Sequence, residues 1–258
     1  MIETDQAFGI DIGGSGIKGA PVNLETGEFA QERLRIPTPQ ESTPEAVAGV
    51  VREILDAFEV ADGTPVGIAF PAPVHVGRPL HFMGNLDQSW LGVDINQFMS
   101  ESTGRRVHVV NDGDAAGLGE ALYGSARNVG GLVIATTLGT GIGTALIMDG
   151  ILIPNTELGH IILDGTDAEK LAADSARTRE ELSWKKWGAR LTKYYRALEH
   201  YLAPEIFVVG GGVSKKHEKF FPYIDINTPI VPAALLNTAG IVGAAAYAHK
   251  MEALATRA

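Results

Sequence analysis

A duplicated, two-domain α/β fold is what this sequence predicts, and three observations carry that reading. Short apolar runs of strand length alternate with stretches of helical spacing along the whole chain. The turn GSGIKGA at residues 14–20 returns as GTGIGTA at residues 139–145, an offset of 125 residues in a chain of 258, which marks an internal duplication. With 258 residues and 45% hydrophobic composition, the chain can also furnish two modest cores.

The elements follow in order. Residues 8–12 form an apolar strand entering Gly13-Gly14-Ser15-Gly16, residues 17–24 a second strand, and residues 29–36 a third beyond the turn Glu25-Thr26-Gly27, so the chain opens as an antiparallel meander. From Pro44 to Phe58 the apolar residues fall at helical spacing, with proline where a first turn tolerates it. Residues 66–70 read as a buried strand, 91–102 as a helix, 107–110 as a strand, and 114–123 as a helix that Asn111 or Asp112 can cap. The plan then repeats: strand 132–138, the turn Gly139-Thr140-Gly141, strand 142–148, the turn Asp149-Gly150 and an extended piece at 151–154. Helices near 168–176 and 178–201, a strand at 206–209, the turn Gly210-Gly211-Gly212 and a last helix near 233–256 complete the chain.

Composition excludes several chemistries. The absence of cysteine rules out disulfides, thiol catalysis and cysteine-ligated zinc, and fits a reducing cytoplasm. The acidic first residues do not read as an export signal, and no apolar run approaches the ~20 residues of a membrane span. A net charge of −10 argues against general nucleic-acid binding. One region runs the other way: residues 185–219 carry eight lysines and arginines against three glutamates. Within it Lys186, Arg190, Lys193 and Arg196 recur at helical spacing and form one stripe, ordinarily a solvated face, which here precedes the Gly210 turn and Lys215.

Residues 14–19 satisfy the G-x-G-x-x-G pattern of dinucleotide sites, but those glycines must open a helix, and here they open a strand. Lys18 follows Ile17 rather than glycine, so the Walker A pattern is absent too. Two hairpins tipped Gly-Ser-Gly and Gly-Thr-Gly can instead offer backbone N–H groups to phosphate oxygens. Asp11 could hold Mg²⁺ directly or through water, with Lys18 adding positive charge. Either turn alone would be a plain hairpin; their repetition at a half-chain offset favours the phosphate reading. The Gly210-Gly211-Gly212 turn before a helix is a further place for a donor phosphate, or a simple connector.

DIGGSGIKG at 11–19, NDGDAA at 111–116, LGTGIGTALIMDG at 138–150, ELGH at 157–160 and GGGVS at 210–214 together resemble the ROK family of bacterial sugar kinases, and within it the actinobacterial polyphosphate glucokinases. The likeness spans nearly the whole chain in the right order. It implies an actin-like (hexokinase/ribonuclease H-like) fold of two α/β domains about a cleft: residues 1–110 with a returning C-terminal helix near 240–258, and residues 111–239. It implies transfer of a phosphoryl group from polyphosphate or ATP to the 6-hydroxyl of glucose, with mannose as a second acceptor, in a cytoplasmic monomer or homodimer that uses Mg²⁺.

Residue by residue, the likeness makes Asp112 the base that takes the hydroxyl proton and Asn111 a sugar ligand, where helix capping alone would also explain both. Glu157 and His160 match sugar ligands, and Asn85 and Glu169 are further candidates. Trp90 reads as core or cleft wall. In many relatives the histidine also binds zinc beside cysteines; with none here, no zinc is expected. The donor side comprises Asp11, Gly13, Gly14, Ser15, Gly16, Lys18, Gly139, Thr140, Gly141, Gly211 and Gly212, with Lys186, Arg190, Lys193 and Lys215 along the outgoing anionic chain. A strictly ATP-dependent hexokinase, a ROK-type sugar sensor and an actin-like filament protein are the alternatives. Sensors carry a helix-turn-helix before the first motif, and ten residues precede Asp11 in this sequence.

Overall fold

The computed structural model describes residues 6–75, 77–79 and 86–256. The chain divides into two compact units, Met1–Gly119 with Asn237–Ala258, and Glu120–Leu236. The sequence placed these divisions near 110 and 240; the first instead falls inside a helix.

In the first unit the antiparallel strands β1 (Gln6–Gly13), β2 (Gly16–Asn23) and β3 (Leu34–Ile36) lie beside the parallel strands β4 (Val66–Phe70) and β7 (Val107–Asn111), in the order β3-β2-β1-β4-β7. A small hairpin, β5 (Val74–His75) with β6 (Arg78–Pro79), lies between β4 and β7 in the chain. The second unit repeats the main sheet: β8 (Leu132–Leu138), β9 (Ile142–Met148) and β10 (Ile151–Ile153) form the meander, and β13 (Ile206–Gly210) and β14 (Ile230–Pro232) run parallel to β8, giving β10-β9-β8-β13-β14. Its own small hairpin pairs β11 (Ile162–Leu163) with β12 (Thr166–Asp167). The duplication read from two glycine turns is thus a duplication of strand order.

Helix α1 (Pro44–Ala57) starts where Thr43 caps the N–H of Ala46 and buries Val47, Val51, Ile54 and Leu55. Helix α2 (Ile95–Thr103) starts later than the sequence predicts, because Asp94 caps Gln97 while residues 88–90 make a separate turn. Only residues 34–36 of the predicted third strand pair with β2, and upstream Phe29 makes an isolated bridge to Val22. The two helices predicted near 168–176 and 178–201 are in fact three: α4 (Ala168–Ala172), α5 (Asp174–Arg179) and α6 (Trp184–Leu202), the last capped by Ser183. Glu181 at φ 50° breaks the run.

Helix α3 (Asp112–Tyr123) follows β7 directly, and α7 (Ala239–Ala255) ends the described chain. The sequence starts that last helix near 233, but residues 230–232 are strand β14 and helix forms only from Ala239. A side chain at Gly9 would run into the carbonyl of Ile241, and one at Gly67 into that of Ala244, so glycine in β1 and β4 lets α7 lie flat on the sheet. The first core gathers Phe8, Ile10, Ile68, Phe70, Trp90 and Met99; the second is built on Trp187, Tyr194, Tyr195, Phe207 and Phe220.

Candidate active site

In the first unit, register places Asp11 of β1 opposite Ala69 of β4, and Ala69 opposite Val110 of β7. Asp11, Asn111 and Asp112 therefore gather at the carboxyl ends of parallel strands, the edge where open α/β sheets bind ligands. Asp11 also faces Lys18 across the β1–β2 ladder, and their ion pair is 2.8 Å long with both side chains about a quarter exposed, at 23% and 24%. Gly14 and Ser15 form the exposed tip of that hairpin. Thr38 Oγ1 donates to the Gly13 carbonyl at 2.5 Å and Arg35 donates to the Ser15 carbonyl at 2.7 Å, so the turn is held in one shape from beside it. The first turn of α7 lies close by: a Cβ on Gly240 would sit 3.7 Å from the Asp11 carboxyl carbon.

Asn111 is the cap of α3, its Oδ1 accepting from the N–H groups of Gly113 at 2.9 Å and Asp114 at 3.1 Å. Asp112 is the first residue of the helix and exposed, and its Oδ1 accepts from Gly113 N–H at 2.8 Å and from Asn111 Nδ2 at 3.3 Å. Asn111 Oδ1 thus accepts from two N–H groups of the first turn, and Asp112 Oδ1 from one.

In the second unit, β8 and β13 pair in parallel with Gly210 opposite Thr137, which brings the Gly139 and Gly211 turns to one edge. Gly211 has φ 83°, and a side chain there would strike the Leu138 carbonyl, so only glycine fits. Ser175 secures the Gly139 turn twice, its N–H donating to Gly139 O at 3.0 Å and its Oγ to Thr140 O at 2.6 Å. Glu169 lies against the same turn and accepts from Ile142 N–H at 3.0 Å. The structure thus gives Glu169 a turn-fixing partner where the sequence suggested a sugar ligand.

Glu157 and His160 border a single 3₁₀ turn, Leu158–His160. Thr144 Oγ1 holds it to β9, donating to Thr156 O and accepting from Leu158 N–H at 3.0 Å. His160 Nδ1 lies 3.0 Å from Asp167 Oδ2, with the Glu157 carboxylate 4.0 Å from Nε2. The hydrogen bond that the imidazole donates to Asp167, aided by the charges of Glu169, Asp167 and Glu157, outweighs burial and raises the imidazole above its ordinary value. For Asp167, burial pushes upward but is outweighed by the hydrogen bonds from His160 and the Glu169 N–H, so its carboxyl is lowered.

Other candidates sort plainly. Asn85 lies outside the described residues. Trp90 is core, fully buried, donating to Ser42 O at 2.8 Å and meeting Phe70 edge-on at 5.0 Å. Along α6, Arg190 pairs with Glu180 at 2.5 Å, Lys193 with Asp164 at 2.7 Å and Arg196 with Asp225, so most of the basic stripe is already matched by carboxylates. Lys186 and Lys215 are exposed. The sequence reading missed Thr38, Asp167 and Ser175. Asp167 was within reach, since it caps α4 through the Glu169 N–H at 2.9 Å, whereas Thr38 and Ser175 act on residues 25 and 35 positions away with no local signal.

Among the described residues no three histidine, aspartate or glutamate side chains converge as a metal cage. Asp11, a half-buried single carboxylate beside the Gly13–Gly16 turn, fits instead a hard cation that keeps most of its waters.

Comparison with known proteins bears on these arrangements. The profile of the ROK family matches residues 7–177. The polyphosphate glucokinase of Mycobacterium tuberculosis (strain CDC 1551 / Oshkosh) is 44% identical over 239 residues, 92% of this chain and 89% of that protein. The crystal structure of inorganic polyphosphate/ATP-glucomannokinase from Arthrobacter sp. strain KM superposes with a TM-score of 0.85 at 47% identity, covering 96% of this chain and 99% of that one. A ROK hexokinase structure from Thermus thermophilus, at 23% identity and a TM-score of 0.79 over 96% of this chain and 99% of its own, shows the shared fold.

Proposed function

The chain belongs to the ROK family and has its actin-like two-domain fold, and on that premise we propose that it is a glucokinase moving a phosphoryl group from inorganic polyphosphate or ATP to the 6-hydroxyl of glucose. The observation that carries the reading is the 44% identity to a polyphosphate glucokinase across 92% of the chain.

Asp112 is the base, set on the exposed carboxyl edge of the first sheet while its neighbour does most of the capping. Asn111, Glu157 and His160 supply donors and acceptors to sugar hydroxyls. His160, with its imidazole raised by Asp167, is a hydrogen-bond donor at two nitrogens when protonated. The Gly13–Gly16 and Gly139–Gly141 tips and Gly211 offer backbone N–H groups to donor phosphates, which only a side-chain-free approach permits. A divalent cation, Mg²⁺ in this reading, would be held by Asp11 and would neutralise charge on the donor phosphates. Lys18, 2.8 Å from Asp11, adds a second positive centre. Catalysis on this plan is positioning and charge neutralisation. Mannose, matching the Arthrobacter enzyme's description as a glucomannokinase, is the second acceptor to test.

A coupled assay with glucose and Mg²⁺, run in parallel with ATP and with long-chain polyphosphate, tests the reading. Glucose 6-phosphate formed from both donors is expected. Turnover with ATP alone would reduce the protein to an ATP-dependent hexokinase, and turnover with neither would leave a sugar-binding protein.

A further inference from the structure

Among the described residues the lysines of this molecule fall into two electrostatic classes. The cations along the body of α6 are spoken for, through Arg190–Glu180, Lys193–Asp164 and Arg196–Asp225. Lys185 and Lys186 in the first turn of α6, and Lys215, Lys216 and Lys219 in the 3₁₀ segment Gly212–Lys219, are exposed and make no ion pair.

The two groups of lysines meet at an aromatic seam, where Phe220 and Lys219 lie against Trp184. The 3₁₀ segment begins at the candidate donor turn, because Gly211 packs on the Leu138 carbonyl and the Ser214 N–H returns to Gly211 O at 3.1 Å. It ends at the first turn of α6, where Phe220 stacks on Trp184 at 6.1 Å and 19° and meets Trp187 at 4.7 Å. The Lys219 ammonium stands 5.9 Å from the Trp184 ring, and the Arg177 guanidinium lies 4.3 Å from the same ring. Arg177 belongs to α5, whose Ser175 grips the Gly139 turn. The segment is two short 3₁₀ pieces that meet at Lys216, whose φ of −112° and ψ of 22° bend the chain between Lys215 and Lys219. Glu218 is the one acidic residue within the segment.

We propose that this lysine-lined surface, from Gly211 over Lys215, Lys216 and Lys219 to Lys185 and Lys186, is the docking track for the distal part of an inorganic polyphosphate chain whose reacting end lies at the glycine turns. The inference rests on the polyphosphate reading above and moves the track off the α6 stripe, of which only Lys186 remains. An exposed lysine gives a phosphate a point charge with no demand on orientation, which suits a polymer that slides, whereas an arginine or lysine already matched to a carboxylate must surrender that partner first. Binding a polyanion releases its counterions, so each contact adds a fixed increment to the salt dependence of affinity, by analogy with single-stranded nucleic acid.

The test is equilibrium binding of fluorescently labelled long-chain polyphosphate across a salt series. It compares wild type with Lys215→Gln/Lys216→Gln/Lys219→Gln, with Lys185→Gln/Lys186→Gln, and with Lys193→Gln/Arg196→Gln. Thermal melting of each variant verifies its fold. The triple variant is expected to weaken binding at least about fivefold and to flatten the slope of log Kd against log salt by about 2, near 0.7 per lost contact. Lys185→Gln/Lys186→Gln should lose less, and tripolyphosphate less again. Lys193→Gln/Arg196→Gln removes two charges and should stay within about twofold. A triple variant that binds like wild type, or equal losses in Lys193→Gln/Arg196→Gln, overturns the track. So does an oligonucleotide of equal phosphate number that binds wild type as tightly. Turnover of wild type with polyphosphate is read separately: binding with this lysine dependence but no glucose 6-phosphate would sink the kinase donor assignment while leaving the track standing.

Discussion

Asn111 and Asp112, neighbours at the end of β7, are expected to divide two tasks that the sequence could not tell apart. Asn111 accepts from two N–H groups of α3, so its loss costs a cap, typically about 1 kcal/mol. Asp112 carries a smaller share of that work, and Asp112→Asn is therefore expected to fold and to bind glucose nearly normally while kcat falls by at least ~10². Steady-state kinetics beside a melting curve checks this, and near-normal turnover would leave Asp112 a capping residue only. A second residue-scale expectation concerns His160 and Asp167. His160 is raised, so its contribution to stability is complete below its unfolded value and is lost as pH rises through the folded one. Asp167 is lowered, so its contribution is complete above its unfolded value and is lost as pH falls through the folded one. The pair thus supports the fold best between about 3.9 and 6.5, the ordinary values of the two groups. NMR titration should place the His160 imidazole above about 6.5, and Asp167→Asn should bring it down.

At the scale of elements, α3 is anchored by a carboxylate the motif search passed over. Glu120 is 3% exposed, and its oxygens accept from the N–H groups of Ser125 at 2.9 Å, Ala234 at 3.0 Å and Leu235 at 2.7 Å. Glu120→Ala strips three part-buried donors of their acceptor and should destabilise by about 2–4 kcal/mol, with Glu120→Gln recovering part of it. Urea unfolding measures both, and a loss under about 0.5 kcal/mol would show that water replaces the carboxylate. Elements were legible where local chemistry decides them: the apolar periodicity of α1, the glycine hairpins and the cap at Asn111 all act within a few residues. Legibility failed where distant partners decide. Nothing local reveals that Glu169 seats against Gly141 and accepts from Ile142 N–H, or that carboxylates remote in sequence, Asp164 and Asp225, meet the α6 stripe. Helix ends slipped likewise at Glu181, whose left-handed backbone no periodicity announces.

For the whole molecule, duplication of the sheet is not matched by equivalence of the chain. Glu120–Leu236 is continuous and has its own cores, whereas the first unit is completed only when the last residues of the chain return as α7. That helix buries Ile241, Val242, Ala244, Ala245 and Ala248 completely, against strands where Gly9 and Gly67 leave room for its backbone. Removing it exposes the sheet face of β1 and β4; with roughly 1.5–3 kcal/mol for each large aliphatic side chain and about 0.8 for each methyl, the loss rivals the 5–15 kcal/mol that stabilise an ordinary domain. His108 and Arg106 on and beside β7 bind the far end of α7 through Glu252, each at 2.8 Å, so the helix is fastened along its length. A fragment of residues 1–119 is therefore expected to lack a cooperative thermal transition by circular dichroism, and to gain one when a peptide of residues 237–258 is added in excess. Residues 112–236, which keep α3 whole, should melt cooperatively alone. The reverse outcome, a folded 1–119 fragment indifferent to the peptide, would mean that α7 decorates the first sheet rather than completing its core.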